Sequence, residues 1–160
     1  MMGRTHIAFG MACVTGAVYA GAMPVDWLPV AGAAAAVGSL LPDIDEPESK
    51  LGRVCVPLAL VIKLLVGHRT LTHSALALIA VILLPWLWLS GEMAMAVSAG
   101  VGIGYASHLL GDAMTPQGIQ IAWPRPTRFS LRWFRTGSAE DHLAFFALTG
   151  ALMAGVLSIV

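Results

Sequence analysis

The residues that could carry chemistry are carboxylates and histidines placed where apolar segments end. The chain is 58% hydrophobic and only 11% charged, so the positions of its few polar groups are informative. Carboxylates and neutral imidazoles are ligands that zinc and related divalent ions take in proteins. Seven such residues fall into spaced groups and predict a metal site at one face of a membrane: His6, Asp43, Asp45, His68, His73, His108 and Asp112.

His108 and Asp112 form the clearest local motif. A spacing of four residues puts both side chains on one face of a helix, one turn apart, where they can reach a common ion. A hydrogen bond between the two side chains at a helix end is the competing interpretation. Polar side chains within an apolar helix are usually functional, which favours the metal site.

Two further segments carry candidate ligands. Asp43 and Asp45 directly follow an apolar stretch, where one could bridge two ions while the other binds one ion. Taken alone, this pair is better explained by a solvated loop. The segment 67–74 places His68 and His73 before another apolar run, with Arg69 beside them. Arg69 could bind a phosphate through two parallel hydrogen bonds, or it could reflect the charge bias of membrane loops.

Four arginines lie in the segment 123–136, interleaved with tryptophan and phenylalanine. This pattern is typical of an anchor at the level of the lipid headgroups. Binding of a substrate phosphate is a second interpretation, and nucleic-acid binding is disfavoured because the cluster would press against the bilayer. The arginines are Arg125, Arg128, Arg132 and Arg135.

The composition is that of a small polytopic membrane protein. Soluble domains carry about 25% charged residues, far more than this chain. The mean hydropathy is +0.80, and the apolar runs approach the roughly 20 residues that cross a bilayer. The 160 residues suit one domain, 1–160, and the net charge of zero indicates no particular partner. Cys13 and Cys55 lie in apolar surroundings and are predicted to be buried, inert thiols.

The predicted fold class is all-α, a membrane helical bundle of about five spans at 7–23, 25–41, 71–90, 92–113 and 142–160. Pro85 lies within the third span and is expected to kink it, and Thr72 or Ser74 could cap its start. The N-terminal segment could alternatively be a signal peptide cleaved near Gly21. The later spans and the position of His6 favour a retained helix.

Helix packing and topology follow from the same segments. Gly100 and Gly104 in the fourth span indicate close helix packing. The stretch Val54–Val66 is too short to cross and predicts an interfacial or re-entrant helix. With five spans, all nine lysines and arginines lie on one side, which the positive-inside rule makes cytoplasmic. Every group of candidate ligands falls on that same side, and the C-terminus is expected outside.

Three motifs together resemble the bacterial YdjM-like family. They are LLPDIDEP at 40–47, GHRTLTHS at 67–74 and GYASHLLGDAMTPQG at 104–118, and the similarity runs from His6 to the Thr-Gly-Ser segment at 136–138. Proteins of this family are described as inner-membrane, metal-dependent hydrolases linked to the LexA regulon. The resemblance implies that the seven residues form the metal site. The family has a glutamate shortly after Thr-Gly-Ser; the corresponding residue here is Asp141, with Glu140 adjacent, and Asp141 is the eighth candidate ligand.

These observations predict a membrane-bound, metal-dependent hydrolase that cleaves a phosphoester of a lipid-like substrate at the cytoplasmic face of the bacterial inner membrane. The His-x-x-x-Asp pattern is also similar to zinc-dependent phospholipase C and P1-type nucleases, which favours phosphoester chemistry. Asp43 or Asp45 is the predicted bridging ligand in catalysis, and Arg69 is the predicted phosphate-binding residue. The expected partners are membrane lipid and a phosphorylated amphipathic substrate rather than nucleic acid.

The mixed histidine and aspartate set suits zinc, with manganese or iron as alternatives. Seven ligands exceed one tetrahedral ion, so two or more ions are expected, and paired ions would activate water and stabilise the leaving oxygen. The alternative is a non-catalytic membrane protein with a structural or ion-transport metal site. Peptide hydrolysis is a third possibility, which the lack of an HExxH motif disfavours.

Overall fold

The computed structural model describes residues 1–54, 56–67 and 69–159, with Val66 described by its backbone alone. Cys55 and His68 therefore lie outside the described residues, and Cys13 is a half-buried free thiol. Within these ranges the chain is all-α, so the predicted fold class is confirmed. The helices are α1 (Gly3–Tyr19), α2 (Leu28–Gly38), α3 (Val56–Val66), α4 (Ala75–Leu83), α5 (Gly91–Ala113) and α6 (Ala139–Ile159).

Three stretches are long and apolar enough to cross a membrane: Val25–Asp45, Gly91–Ala113 and Ala139–Ile159. They correspond to the second, fourth and fifth predicted spans. The first predicted span is α1, which has 17 residues and begins at Gly3, so that His6 lies in its first turns. The predicted interfacial helix is α3, which is apolar but short. Its Lys63 Nζ donates to both carboxylate oxygens of Glu46, at 3.1 and 2.9 Å, and ties α3 to the end of the second span.

The third predicted span is broken into three pieces rather than forming one kinked helix. A 3-10 turn, Leu71–His73, is followed by α4 and by a second 3-10 turn, Leu84–Leu87. Ser74 caps α4, since its Oγ accepts the backbone N–H of Ala77 at 3.2 Å. At the other end Pro85 stops the α-helix, because proline lacks the N–H that the next turn needs.

The helix α1 stops at a glycine. Gly21 has φ +70°, a left-handed conformation that L-residues rarely adopt. Around it the N–H of Ala22 donates to the carbonyl of Ala17, and the N–H of Gly21 donates to the carbonyl of Val18, both at 2.9 Å. These two bonds are the Schellman arrangement that satisfies the last carbonyls of a helix.

The helices α2 and α5 pack backbone to backbone. A Cβ on Gly100 would lie 2.3 Å from the carbonyl oxygen of Ala31, and one on Gly104 would lie 2.1 Å from that of Ala35. Only glycine allows such contact, which confirms the predicted close packing. Both contacts advance by four residues on each helix, so α2 and α5 run parallel in a fixed register.

The bundle has one end at which the candidate ligands gather. The helices α1 and α6 also run parallel, since Met2 N–H donates to Asp141 at one end and Gly155 packs on Thr15 farther along. His6 Nε2 of α1 lies 3.3 Å from Asp112 Oδ1 of α5. The starts of α1 and α6 therefore meet the ends of α2 and α5, and we call this the ligand end.

Candidate metal centre

Four of the predicted ligands converge at the ligand end. Asp43 comes from the 3-10 turn Leu41–Asp45, His73 from the turn Leu71–His73, and His108 and Asp112 from the last turns of α5. One donor atom from each lies within 4.8 Å of the other three. His73, His108 and Asp112 are fully buried, while the side chain of Asp43 is 21% exposed. We call these residues the four-residue group, and its open side is at Asp43.

The distances between these donors suit one divalent ion. His73 Nε2 lies 3.4 Å from Asp112 Oδ2 and 3.7 Å from Asp43 Oδ1, and His108 Nε2 lies 3.6 Å from the same two oxygens. Zinc bonds of about 2.0–2.2 Å place tetrahedral ligands about 3.4 Å apart. The residues present therefore fit an ion without large movement of any side chain.

The tautomer of His108 is set by a backbone carbonyl. Its Nδ1 lies 2.7 Å from the carbonyl oxygen of Ser39, which can only accept a hydrogen bond, so Nδ1 carries the proton. The buried Nε2 then presents a lone pair to the four-residue group and has no hydrogen-bond partner in the described chain. A backbone carbonyl that orients a ligating imidazole in this way is a common outer-shell arrangement.

His73 is oriented by a relay through Thr72 and Asp45. The hydroxyl of Thr72 donates to Asp45 Oδ2 at 3.0 Å and lies 3.1 Å from His73 Nδ1. A hydroxyl has one hydrogen, so the imidazole must donate from Nδ1, and its Nε2 lone pair faces the four-residue group. Burial lowers the pKa of His73 from its ordinary value, which favours the neutral form of the ring, the form that binds metal.

Asp45 and Asp141 are placed as supports outside the four-residue group. Asp45 is fully buried and also accepts the backbone N–H of Arg69 at 3.1 Å, so it shapes the segment that carries His73. Asp45 was predicted as a possible bridging ligand. In the structure it instead accepts hydrogen bonds from Thr72 and from the backbone of Arg69. Asp141 accepts the N–H groups of Met2 and Gly137, both at 2.9 Å, and joins α1 to the start of α6.

His6 lies beside the four-residue group without entering it. Its ring stacks on His108, with centroids 3.7 Å apart and an interplanar angle of 13°. Both ring nitrogens are buried and have no hydrogen-bond partner among the described residues, although Nε2 is near Asp112. His6 therefore packs against the four-residue group, and its role as a ligand stays a prediction. His68, the remaining predicted ligand, lies outside the described residues.

Arg69 reaches the centre directly. Its Nη2 lies 2.8 Å from Asp112 Oδ2, and its backbone has φ +57°, which few non-glycine residues adopt. The guanidinium is about nine-tenths buried, yet Nε and Nη1 have no hydrogen-bond partner in the described chain. The amino group of Met1 also contacts Asp112, at 2.8 Å from Oδ1. The site thus combines buried carboxylates with a cation that retains unused N–H groups.

Sequence reasoning missed three contributors to the centre. The carbonyl of Ser39 and the hydroxyl of Thr72 set the two imidazole tautomers, and the Tyr105 hydroxyl donates to the Thr72 carbonyl. Thr72 had a signal as a polar residue at the start of an apolar run, and Tyr105 had one as a polar side chain within an apolar helix. The backbone carbonyl of Ser39 had none, since any residue supplies one.

The all-α bundle, its apolar spans and the buried group at one end define a small helical membrane protein with a candidate metal centre. The chain matches the family model described as YdjM inner membrane protein over residues 1–159 and belongs to the YdjM family, as its motifs predicted.

Curated relatives agree with this assignment. The chain is 38% identical over 151 residues to the uncharacterized protein YvsG of Bacillus subtilis (strain 168), covering 93% of this chain and 90% of that protein. It is 36% identical over 137 residues to the inner membrane protein YdjM of Escherichia coli (strain K12), covering 82% of this chain and 69% of that protein. The inner membrane protein YdjM of Shigella flexneri gives the same values. No solved structure matches the chain.

Proposed function

We propose that this protein is a membrane-embedded, metal-dependent hydrolase that cleaves a phosphoester in an amphipathic substrate. The observation that carries the proposal is the four-residue group, whose two imidazoles are held in the tautomers that direct Nε2 at Asp43 and Asp112. A divalent ion bound there would lower the pKa of a water molecule and stabilise negative charge on a phosphoryl oxygen. Zinc is the proposed metal, with manganese or iron as alternatives.

Arg69 is the proposed phosphate-binding residue. It is close to Asp112, it is buried, and two of its nitrogens are without hydrogen-bond partners among the described residues. Buried N–H groups that lack partners are costly, so a ligand that accepts their hydrogen bonds would be bound favourably. A phosphoryl group supplies negatively charged oxygens that can accept hydrogen bonds from these N–H groups.

An apolar cavity beside the centre supports an amphipathic substrate. The cavity has a volume of about 550 Å³ and lies between α3, α4 and the turns that carry Asp43 and His73. Its lining includes Leu41, Ile44 and Leu76 together with Tyr105. Leu41 and Ile44 flank Asp43 in sequence. A lipid tail in this cavity would leave its phosphorylated headgroup next to the four-residue group.

The distribution of basic residues supports a cytoplasmic location for the centre. Arg4 is in the first turn of α1, and the other eight lysines and arginines lie in 46–74 and 114–138. These two segments connect to α2, α5 and α6 at the ligand end. Since basic loops are retained in the cytoplasm, the ligand end is proposed to face it, in a multi-pass protein of the bacterial inner membrane.

The test begins with metal analysis of the purified protein in detergent. The wild type is expected to retain a divalent metal, His108→Ala to lose it, and His142→Ala to retain it because His142 lies outside the group. The same preparations are assayed with a phosphatidic acid and with a chromogenic phosphodiester. Absence of metal from the wild type, or equal metal in His108→Ala, would contradict the proposed site.

A structural or transport role for the metal is the second candidate function. It is favoured by one observation, since four protein donors already complete a tetrahedron, and structural zinc sites are closed in this way. Catalysis needs an exchangeable position, for which the partly exposed Asp43 is the candidate. Metal-loaded protein without turnover on either substrate would support this second function and would refute the hydrolase.

A further inference from the structure

A cleft next to the ligand end is lined by two arginines, Arg132 and Arg135. It has a volume of about 600 Å³ and lies between Pro116, Arg132, Arg135 and the start of α6. A neighbouring recess of about 280 Å³ shares Pro116 and Arg135 and extends the cleft to Thr115. Thr115 in turn donates to the carbonyl of Asp112 at 2.8 Å. Thr115, on the lining of the recess, is therefore hydrogen-bonded to the backbone of a residue of the four-residue group.

The two arginines of this cleft are free to bind an anion. Both are exposed, and neither forms an ion pair with an acidic side chain in the part of the chain that the structure describes. Glu140 is the carboxylate on the lining, so the cations outnumber it. The cleft also contains Ser138, which lies beside Glu140 at the start of α6.

The backbone presents Arg132 in an unusual conformation. Its φ is +56°, and among the described non-glycine residues only Arg69 shares this region. Such a conformation persists where neighbouring contacts enforce it. Here the N–H of Leu131 donates to the carbonyl of Ala113 at 2.7 Å, and that of Trp133 donates to the carbonyl of Met114 at 2.8 Å. These bonds fix the arginine to the end of α5, directly after Asp112.

We infer that this cleft binds a second phosphate group, so that the substrate class is a diphosphate or another amphiphile with two phosphate groups. The inference rests on the proposed function, because it assigns the first phosphate to the four-residue group and Arg69. Arg132 and Arg135 supply the positive charge that binds it. A substrate with a single uncharged headgroup would leave this cationic cleft without a partner.

The test measures anion binding by calorimetry with the full chain in a non-ionic detergent. The probes are inorganic pyrophosphate and, separately, mixed micelles that contain a short-chain phosphatidic acid. Arg132→Gln and Arg135→Gln are each expected to weaken binding about tenfold, the loss of one charge-assisted hydrogen bond. Arg125→Gln is the matched control, since Arg125 is exposed in the same segment but lies outside the cleft lining.

The two probes distinguish a soluble phosphate compound from a lipid headgroup as the source of the ligand. Arginine-dependent binding of either one supports the inference. No binding of either probe, or equal binding by all three variants and the wild type, overturns it. An equal loss in Arg125→Gln also overturns it, because general charge would then explain the affinity.

Metal content of the same samples separates this inference from the proposed function. All three arginine variants should retain metal, because none of these side chains belongs to the four-residue group. A wild type without metal would refute the hydrolase while the pyrophosphate titration remains interpretable. Normal metal content with arginine-independent binding would refute the cleft alone.

Discussion

The relay from Asp45 through Thr72 to His73 gives the sharpest test of the metal centre. Thr72→Val removes one hydroxyl and keeps the size and β-branching of the side chain. It deletes a hydrogen bond of 3.0 Å to a buried carboxylate and one of 3.1 Å that holds the His73 tautomer. Loss of an outer-shell partner weakens metal binding by about 10–100-fold, or roughly 1.4–2.7 kcal/mol. His73 itself remains, so binding should weaken without being abolished.

The assay is a competition titration of zinc between the detergent-solubilised protein and a chromogenic chelator. Thr72→Ser keeps the hydroxyl and should bind zinc nearly as tightly as the wild type. Thr5→Val is a matched control, because it removes a buried hydroxyl that makes no hydrogen bond to a described residue. Unchanged affinity in Thr72→Val would refute the relay. Equal weakening in Thr72→Ser would show that the side chain acts through packing instead.

Three further outcomes follow from the structure. Gly104→Ala places a Cβ 2.1 Å from the Ala35 carbonyl oxygen and should cost about 1–3 kcal/mol and lower the metal content. Gly32→Ala, with no atom within 4 Å, should keep the metal content and should not lower the unfolding temperature, because alanine is the better helix former. Gly21→Ala forces an L-residue to φ +70° and should destabilise the end of α1 by about 1–2 kcal/mol in thermal unfolding, without loss of metal. Removal of metal by a chelator should lower the unfolding temperature, and added zinc should restore it. An unfolding temperature that changes with neither treatment would contradict a metal bound to the folded state.

The arrangement of the helices was largely predictable because hydropathy is a local property. The fourth span was predicted at 92–113 and the helix occupies Gly91–Ala113. The third predicted span is not one continuous helix, although a kink was predicted at Pro85. Its start was misjudged as well, since Leu71–His73 forms a separate turn before the Ser74 cap. Hydrogen bonds from Thr72 to Asp45 and from Tyr105 to the Thr72 carbonyl hold that turn, and such contacts cannot be predicted from hydropathy.

The sequence predicted which residues belong to the candidate site but not how their side chains are arranged. Scarcity of polar residues and their positions at the ends of apolar runs identified His73, His108, Asp43 and Asp112 correctly as neighbours. The same criteria could not separate Asp45 from Asp43, because the two carboxylates are two residues apart and equally polar. The 3-10 turn decides between them, with Asp45 turned towards Thr72 and Asp43 towards the imidazoles.

The sequence by itself determined the membrane class, the family and the end of the bundle at which the polar groups meet. These depend on composition, on the length of apolar runs and on short motifs, all of which can be read along the chain. Tertiary structure alone decided which side chains bring their donor atoms close together and which side chains hold those residues in place. The reason is that Gly104 sets the approach of α5 to α2, and this register brings His108 to the carbonyl of Ser39 from 69 residues away.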